Sequence, residues 1–292
     1  MPTIPADQAG PADQAGPADQ AGPADRAGPP ASEPHRHRQM AESFGVDPER
    51  YDRTRPRYPQ ALIDAIVTAS PGPGLLDVGI GTGIAARQLR AAGGRVLGVE
   101  VDERMAAVAR RDGFEVEIAR FEGWDPAGRA FDAVTAGQTW HWIDPAAGAA
   151  KAGQALRTGG LFAAFWNVFE FPPELAAALA GIYRRILPDA PAGFAGSAAG
   201  GYHRLIDQHA AALRADGQFG EPAELRFDWD QPYTTAQWLD MLPTQGLHTR
   251  LPAGTLAELS AAVGAAIDAA GGRFTAHYVT LALTATATRR DG

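Results

Sequence analysis

Gly79, Gly81 and Gly83 alternate with single residues directly after the apolar run Leu75-Leu76-Asp77-Val78. A chain that turns sharply and lets a ligand approach its backbone uses glycine at such points, because a side chain would occupy the ligand's space. Seventeen residues beyond Gly83 stands Glu100, closing a second apolar run, Val96-Leu97-Gly98-Val99. A carboxylate at that strand end can accept hydrogen bonds from both hydroxyls of a ribose. Together these residues describe a nucleoside site. A dinucleotide fingerprint would read Gly-x-Gly-x-x-Gly, its third glycine admitting close helix packing. Here Ile84 holds the third-glycine position, which disfavours NAD and FAD.

The elements that must position these residues follow from periodicity. Leu75–Val78 is a short buried strand. A helix starts at Ile84, with Ala85, Leu89 and Ala92 at helical spacing, and Gly93-Gly94 ends it. Val96–Val99 is the next parallel strand, so the segment is a βαβ unit. Its ligand belongs beyond the carboxyl ends of the strands.

Leu75–Gly83, LLDVGIGTG, resembles the first motif of the class I S-adenosylmethionine (SAM)-dependent methyltransferases, with Asp77 included. Glu100 matches their ribose-binding acidic residue. Further matches come in chain order. Glu115–Ala119 reads as a third strand, and Arg120-Phe121-Glu122 occupies the loop where the family holds adenine. The family often has aspartate where Arg120 stands. The resemblance therefore leaves the adenine contact to the backbone amides of Phe121 and Glu122, with the Phe121 ring either stacking on the base or packing in the core. Phe131–Ala136 resembles the fourth strand, followed by Gln138-Thr139-Trp140-His141-Trp142. Leu156–Gly160 and Leu161–Trp166 resemble the turn and the fifth strand.

A narrower resemblance lies upstream. Tyr51-Asp52-Arg53-Thr54-Arg55-Pro56-Arg57-Tyr58-Pro59 is similar to the pre-motif of a subgroup that includes trans-aconitate methyltransferase-like enzymes. It implies that Tyr51 and Arg55, with Tyr58 as a third candidate, close over the methionine end of SAM. A planar guanidinium grips a carboxylate bidentately, and aromatic faces favour a sulfonium cation. Gln138 is expected as a donor near the same moiety. Methyl transfer from SAM is an in-line displacement that needs alignment and exclusion of water more than a nucleophile on the protein. For acceptors that need a base the candidate is His141; the other reading of this Trp-His-Trp run is a packed structural histidine.

Length and composition bound the rest. The chain has 292 residues, 45% of them hydrophobic, a net charge of -8 and no cysteine. Disulfides, thiolate metal sites and cysteine nucleophiles are excluded. The acidic balance argues against nucleic acid as a partner. No apolar run of membrane length or signal-peptide type occurs, so a cytoplasmic location is expected. PADQAG repeats at 5–10, 11–16 and 17–22, and 23–28 reads PADRAG. Such a segment buries too little to order itself, so residues 1–38 are expected to be a disordered tail.

The expected fold is α/β: a Rossmann-like, doubly wound, mostly parallel sheet with an antiparallel last strand and a C-terminal helical lid insertion. The methyltransferase domain would fill 39–292, with the SAM-binding core at about 70–168, an acceptor-binding lid region at about 169–272 and a closing strand at about 274–284. Helices are read at about 174–187, 203–215 and 255–270, around a loop at 188–201 and a strand at Leu225–Trp229. Tyr202, His203, Tyr233, Trp238, His248, Arg250 and His277 are pocket candidates within this part. No metal-ligand spacing is present. The expected activity is O-, N- or C-methylation of a small-molecule acceptor; the alternatives are a non-catalytic SAM-binding module or a methyltransferase acting on protein or RNA.

Overall fold

A computed structural model describes residues 42–188 and 199–288. The expected tail at 1–38, and most of the loop expected at 188–201, lie outside the described residues.

Leu75, Leu76 and Val78 are buried on both sides of their strand, which therefore lies inside the sheet. Among the described residues, one sheet contains seven strands: β1 (Gly74–Val78), β2 (Arg95–Glu100), β3 (Glu115–Ile118), β4 (Phe131–Gly137), β5 (Leu156–Glu170), β6 (Ala223–Thr234) and β7 (Arg273–Thr286). Their spatial order is β3-β2-β1-β4-β5-β7-β6. β1 pairs in parallel with β2 on one side and β4 on the other, so the order reverses there and opens a crevice beyond the strand ends. β7 runs antiparallel between β5 and β6. The expected Rossmann-like sheet is thus observed.

Helices α1 (Pro48–Thr54), α2 (Gln60–Ala69), α3 (Ile84–Ala91), α4 (Glu103–Arg111) and α5 (Pro145–Ala155) accompany the first five strands. α6 (Pro173–Ile186) and α7 (Ala199–Asp216) precede β6, while α8 (Thr235–Met241) and α9 (Ala253–Ala269) are inserted between β6 and β7. Their starts are chemically marked. Asp47, Asp102 and Asp144 cap α1, α4 and α5 with side-chain oxygens, and Thr234 with Gln237 forms a capping box on α8.

Apolar side chains fill both faces of the sheet. Leu62, Ile63 and Ile66 of α2, with Leu89 of α3, pack on Leu75, Leu161 and Phe165. On the opposite face Trp140, Phe162 and Trp166 meet the alanines of α5 and Ile206, Ala210 and Leu213 of α7. A third cluster joins α6, α8 and α9 to β6 and β7 through Leu179, Trp238, Leu259 and Tyr278.

Two details differ from expectation. β5 begins at Leu156 rather than Leu161, because the predicted glycine turn is a bulge inside the strand: Phe131 pairs Leu156 but Ala133 already pairs Leu161. α7 starts at Ala199, inside the span expected to be loop. At the sheet's free edge, β6 carries Arg226, Asp228 and Asp230, with Arg226 and Asp228 joined at 2.6 Å and His277 of β7 bonded to Asp230 at 2.9 Å.

Candidate functional site

Gly79, Gly81 and Gly83 all adopt positive φ (65°, 56° and 91°). Their roles differ. A Cβ at Gly79 would fall 2.2 Å from Cγ2 of Thr139, whose hydroxyl bridges the carbonyls of Gly79 and Gly137. At Gly81 a Cβ would meet the Met105 methyl at 3.6 Å, an ordinary contact. Gly79 therefore serves the protein's own packing, whereas Gly81 is required by its positive φ rather than by crowding.

Glu100 lies at the end of β2, buried, and its carboxylate is already engaged. Oε2 accepts from the N–H of Gly81 at 2.8 Å, while Oε1 accepts from Val101 and Asp102 at 2.8 and 2.9 Å. A carboxylate offers about four acceptor directions. One remains for a ribose hydroxyl, where the sequence suggested two. Burial raises its pKa, against the lowering effect of these three backbone donors. Asp77 is sealed within β1 and accepts from the Thr135 hydroxyl at 2.8 Å. Burial lifts it to about 7, despite that hydrogen bond. It supports the floor of the site and does not line the cleft.

The pre-motif packs across this crevice. Gln88 of α3 clamps Tyr58 through both backbone groups, accepting from its N–H at 3.0 Å and donating to its carbonyl at 2.8 Å. Arg87 reaches Asp52 of α1 at 2.5 Å. Arg55 follows α1 with its guanidinium 4.8 Å from the Tyr51 ring centroid, and it donates to the Thr244 carbonyl at 2.7 Å. Arg50 and Arg53 both bond Asp240 of α8, and Ser43 bonds Thr249 at 2.6 Å. The segment around α1 and the segment 240–249 are thus joined by polar contacts spanning nearly 200 residues of sequence.

Between them lies a cleft of about 440 Å³, counting the space that opens to solvent. Tyr51, Arg55, Tyr58 and Gln138 line it, as the pre-motif and the loop after β4 led one to expect. Gln138 sits at φ 56° and donates its side-chain N–H to the Asn167 carbonyl at 2.9 Å. Gly137 makes room for Tyr58, since a Cβ there would lie 2.7 Å from the phenol oxygen.

Phe121, Glu122 and His141, like the glycine loop, Asp77 and Glu100, are not among the residues lining this cleft. The Phe121 ring is buried between Trp124 and Trp140, with centroids 6.3 and 5.7 Å away, so it is a core ring and does not stack on a base. Its neighbour Glu122 accepts from the Asp144 N–H at 3.3 Å. His141 accepts the Trp166 indole N–H on Nδ1 at 3.1 Å, and burial with His209 nearby pushes its pKa down to about 3. A base needs a free lone pair and a pKa near the working pH. His141 has neither, and its geometry is that of the packed structural histidine.

The cleft also contains residues that spacing did not reveal: Asn167 and Phe169 on β5, Met241 and Gln245 beyond β6, and Tyr278 on β7. Asn167 accepts from the Thr280 hydroxyl at 2.7 Å and donates to the Arg57 carbonyl at 3.3 Å, fixing the pre-motif to the sheet. The seven pocket candidates named above do not line the cleft. Trp238 and Tyr233 are core, and His248 is buried against the Tyr183 hydroxyl at 2.8 Å. His277 lies on β7, bonded to Asp228 and Asp230 of the edge strand β6. Among the described residues no group of acidic or histidine side chains could hold a metal, and no helix is long and apolar enough to cross a membrane.

Comparison with known proteins agrees with this geometry. Residues 76–164 match the methyltransferase domain family. An uncharacterized methyltransferase of Mycobacterium tuberculosis (strain H37Rv) is 33% identical over 138 residues, covering 44% of this chain and 54% of the relative. A Mycobacterium bovis methyltransferase, also uncharacterized, matches with the same figures. The match thus spans about half the length of these curated relatives. A solved structure of a candidate type II methyltransferase from Anaeromyxobacter dehalogenans superposes with a TM-score of 0.57 at 25% identity, covering 79% of this chain and 97% of the other. The strand order and these matches give this chain a Rossmann-like methyltransferase fold, with residues 76–164 matching the methyltransferase domain.

Proposed function

We propose that this chain transfers a methyl group from SAM to a small-molecule acceptor, and that it does so chiefly by positioning. The convergence of Tyr51, Arg55, Tyr58 and Gln138 on one cleft, with Ile84 directly after the glycine loop, carries this reading. The residues fit the cofactor at both ends. Glu100 keeps one acceptor direction for a ribose hydroxyl, and Arg55 retains a buried Nε–H without a partner among the described residues. Bound SAM would supply an already activated methyl group.

The protein's part is then to orient and to exclude water. Arg55 would hold the methionine carboxylate, the Tyr51 and Tyr58 rings would offer electron-rich faces to the sulfonium, and Gln138 would present a polar edge to the same end. Met241, Phe169 and Tyr278 form the far wall, where the acceptor would lie. The pre-motif's likeness to trans-aconitate methyltransferase-like enzymes favours a small organic acid there. A carboxylate is ionised at neutral pH and attacks without a base on the protein.

Calorimetric titration with SAM, S-adenosylhomocysteine and NAD tests the proposal, followed by an acceptor screen with labelled methyl. Saturable binding of the first two and none of NAD supports it. Absence of SAM and S-adenosylhomocysteine binding in folded protein would overturn it, and binding without transfer to any acceptor would favour a non-catalytic module.

A further inference from the structure

Two buried donors on residues of the cleft have no partner among the described residues: Nε of Arg55 and Nε2 of Gln245. Both residues line the same space. They come from opposite walls, Arg55 from the chain after α1 and Gln245 from the turn after α8. The walls are already tied at this point, since Arg55 donates through Nη2 to the carbonyl of Thr244, the residue before Gln245. Buried polar groups without partners are rare, because each forfeits its hydrogen bond to water. Two such donors on residues that line one cleft call for a ligand that brings acceptors.

We infer that Arg55 and Gln245 together form a carboxylate-binding subsite, with Gln245 as a ligand-contacting residue supplied by the C-terminal lid segment. Both orphaned atoms carry only N–H donors, so the matching group is an oxygen acceptor. Arg55 has no carboxylate partner among the described residues, and one guanidinium balances one negative charge. A dianionic phosphate would leave charge uncompensated in a chain of net charge -8, whereas a carboxylate would not. The fork of Arg55 suits the planar carboxylate, and the amide of Gln245 can approach one of its oxygens from the other wall.

Two ligands bring that group to this cleft. One is the methionine end of SAM, an assignment that rests on the methyl-transfer reading; the other is an acidic acceptor. Gln245→Ala and Gln245→Glu separate them. The second keeps the shape of the side chain but places a carboxylate where the ligand's own belongs. Each variant and the wild type would be titrated with SAM, S-adenosylhomocysteine and decarboxylated SAM.

If the cofactor is the source, Gln245→Ala binds SAM and S-adenosylhomocysteine about 10- to 150-fold more weakly, one hydrogen bond to a charged group. Gln245→Glu loses more, and decarboxylated SAM is affected by neither change in that direction. If the acceptor is the source, SAM affinity stays put, and benzoate, 4-hydroxybenzoate or citrate binds the S-adenosylhomocysteine complex of the wild type but not of the variants. Unaltered SAM affinity in both variants, with no acid distinguishing them from wild type, overturns the subsite. Failure of the wild type to bind SAM at all would instead remove the methyl-transfer reading, and the acid titration of the free protein would then decide the subsite alone.

Discussion

Trp166 donates its indole N–H to Nδ1 of His141 across the 3.1 Å between β5 and the turn after β4. That bond leaves the imidazole proton on Nε2 and takes up the one lone pair a base would use. His141 should therefore stay neutral, as the Nε2–H tautomer, from pH 5 to 9 in long-range ¹⁵N–¹H spectra. Exchange of His141 for Asn should leave the pH dependence of methyl transfer unchanged. Titration of the ring near pH 6–7 would restore it as a candidate base.

His248 gives a pH dependence of stability. Burial pushes its pKa down to about 4, from about 6.5 in an unfolded chain. The unfolded state then binds the extra proton first as pH falls. The native state is favoured fully above 6.5 and loses ground as pH drops from 6.5 toward 4, by up to about 1.4 kcal/mol per pH unit. Asp77, raised by burial to about 7, works in the opposite sense between pH 4 and 7, so the effect is best isolated by difference. Chemical denaturation of wild type and His248→Gln over that range should give curves that converge, or cross, toward low pH. Parallel curves would place the His248 pKa near its ordinary value.

The contact between Gly79 and Thr139 predicts non-additive mutations. Gly79→Ala puts a Cβ 2.2 Å from Thr139 and also forces alanine to φ 65°. It should cost about 1–3 kcal/mol or more. Adding Thr139→Ala removes the two closest contacts but leaves the Thr139 Cβ at 2.8 Å and the strain, so the double variant should recover part of the loss and be more stable than the sum of the singles implies. Simple additivity in urea melts would mean that Thr139 swings aside at no cost.

Asp240 holds both Arg50 and Arg53. These pairs are partly exposed, so Asp240→Ala should cost only about 0–1 kcal/mol of global stability. Its effect should be local: faster amide exchange across 240–249 and a few-fold weaker SAM binding, because the cleft is built between the two joined segments. Unchanged exchange there would show that the apolar cluster around Trp238 fixes this wall without help.

Glu100→Ala should weaken SAM binding by about 1–3 kcal/mol. It should also loosen the glycine loop, since the amides of Gly81, Val101 and Asp102 lose their acceptor. A folded variant with wild-type affinity in calorimetry would remove Glu100 from the cofactor site.

The parts of the site that could be read from sequence are those formed by neighbours in sequence. The glycine loop, Glu100 and Gln138 sit at strand ends, and strand ends are marked by where apolar runs break. The terminal β-hairpin with helices inserted was legible for the same reason. Asn167, Met241, Gln245 and Tyr278 were not, because they meet only through the pairing of β5 with β7 and the folding of residues 240–249 onto α1. Asn167 looks like one more residue of a buried strand until Thr280 and Arg57 are seen around it. Phe121 and His141 show the converse. Position along the chain put them near the ligand edge, but Trp124, Trp140 and Trp166 claim their faces and lone pairs.

Among the described residues no strand pairs with the outer side of β6, and twelve residues of such edge are a template on which a second chain can add a strand. Arg226, Asp228 and Asp230 stand along it, and the bond from Arg226 holds the Asp228 carboxyl below its ordinary pKa. The Asp228 carboxylate therefore persists into mildly acidic conditions, and the charged side chains along this edge disfavour the approach of a second strand. The same short ladder that contributes little to folding energy thus acts as a guard against polymerisation, and its removal would first be noticed as turbidity rather than as lost activity.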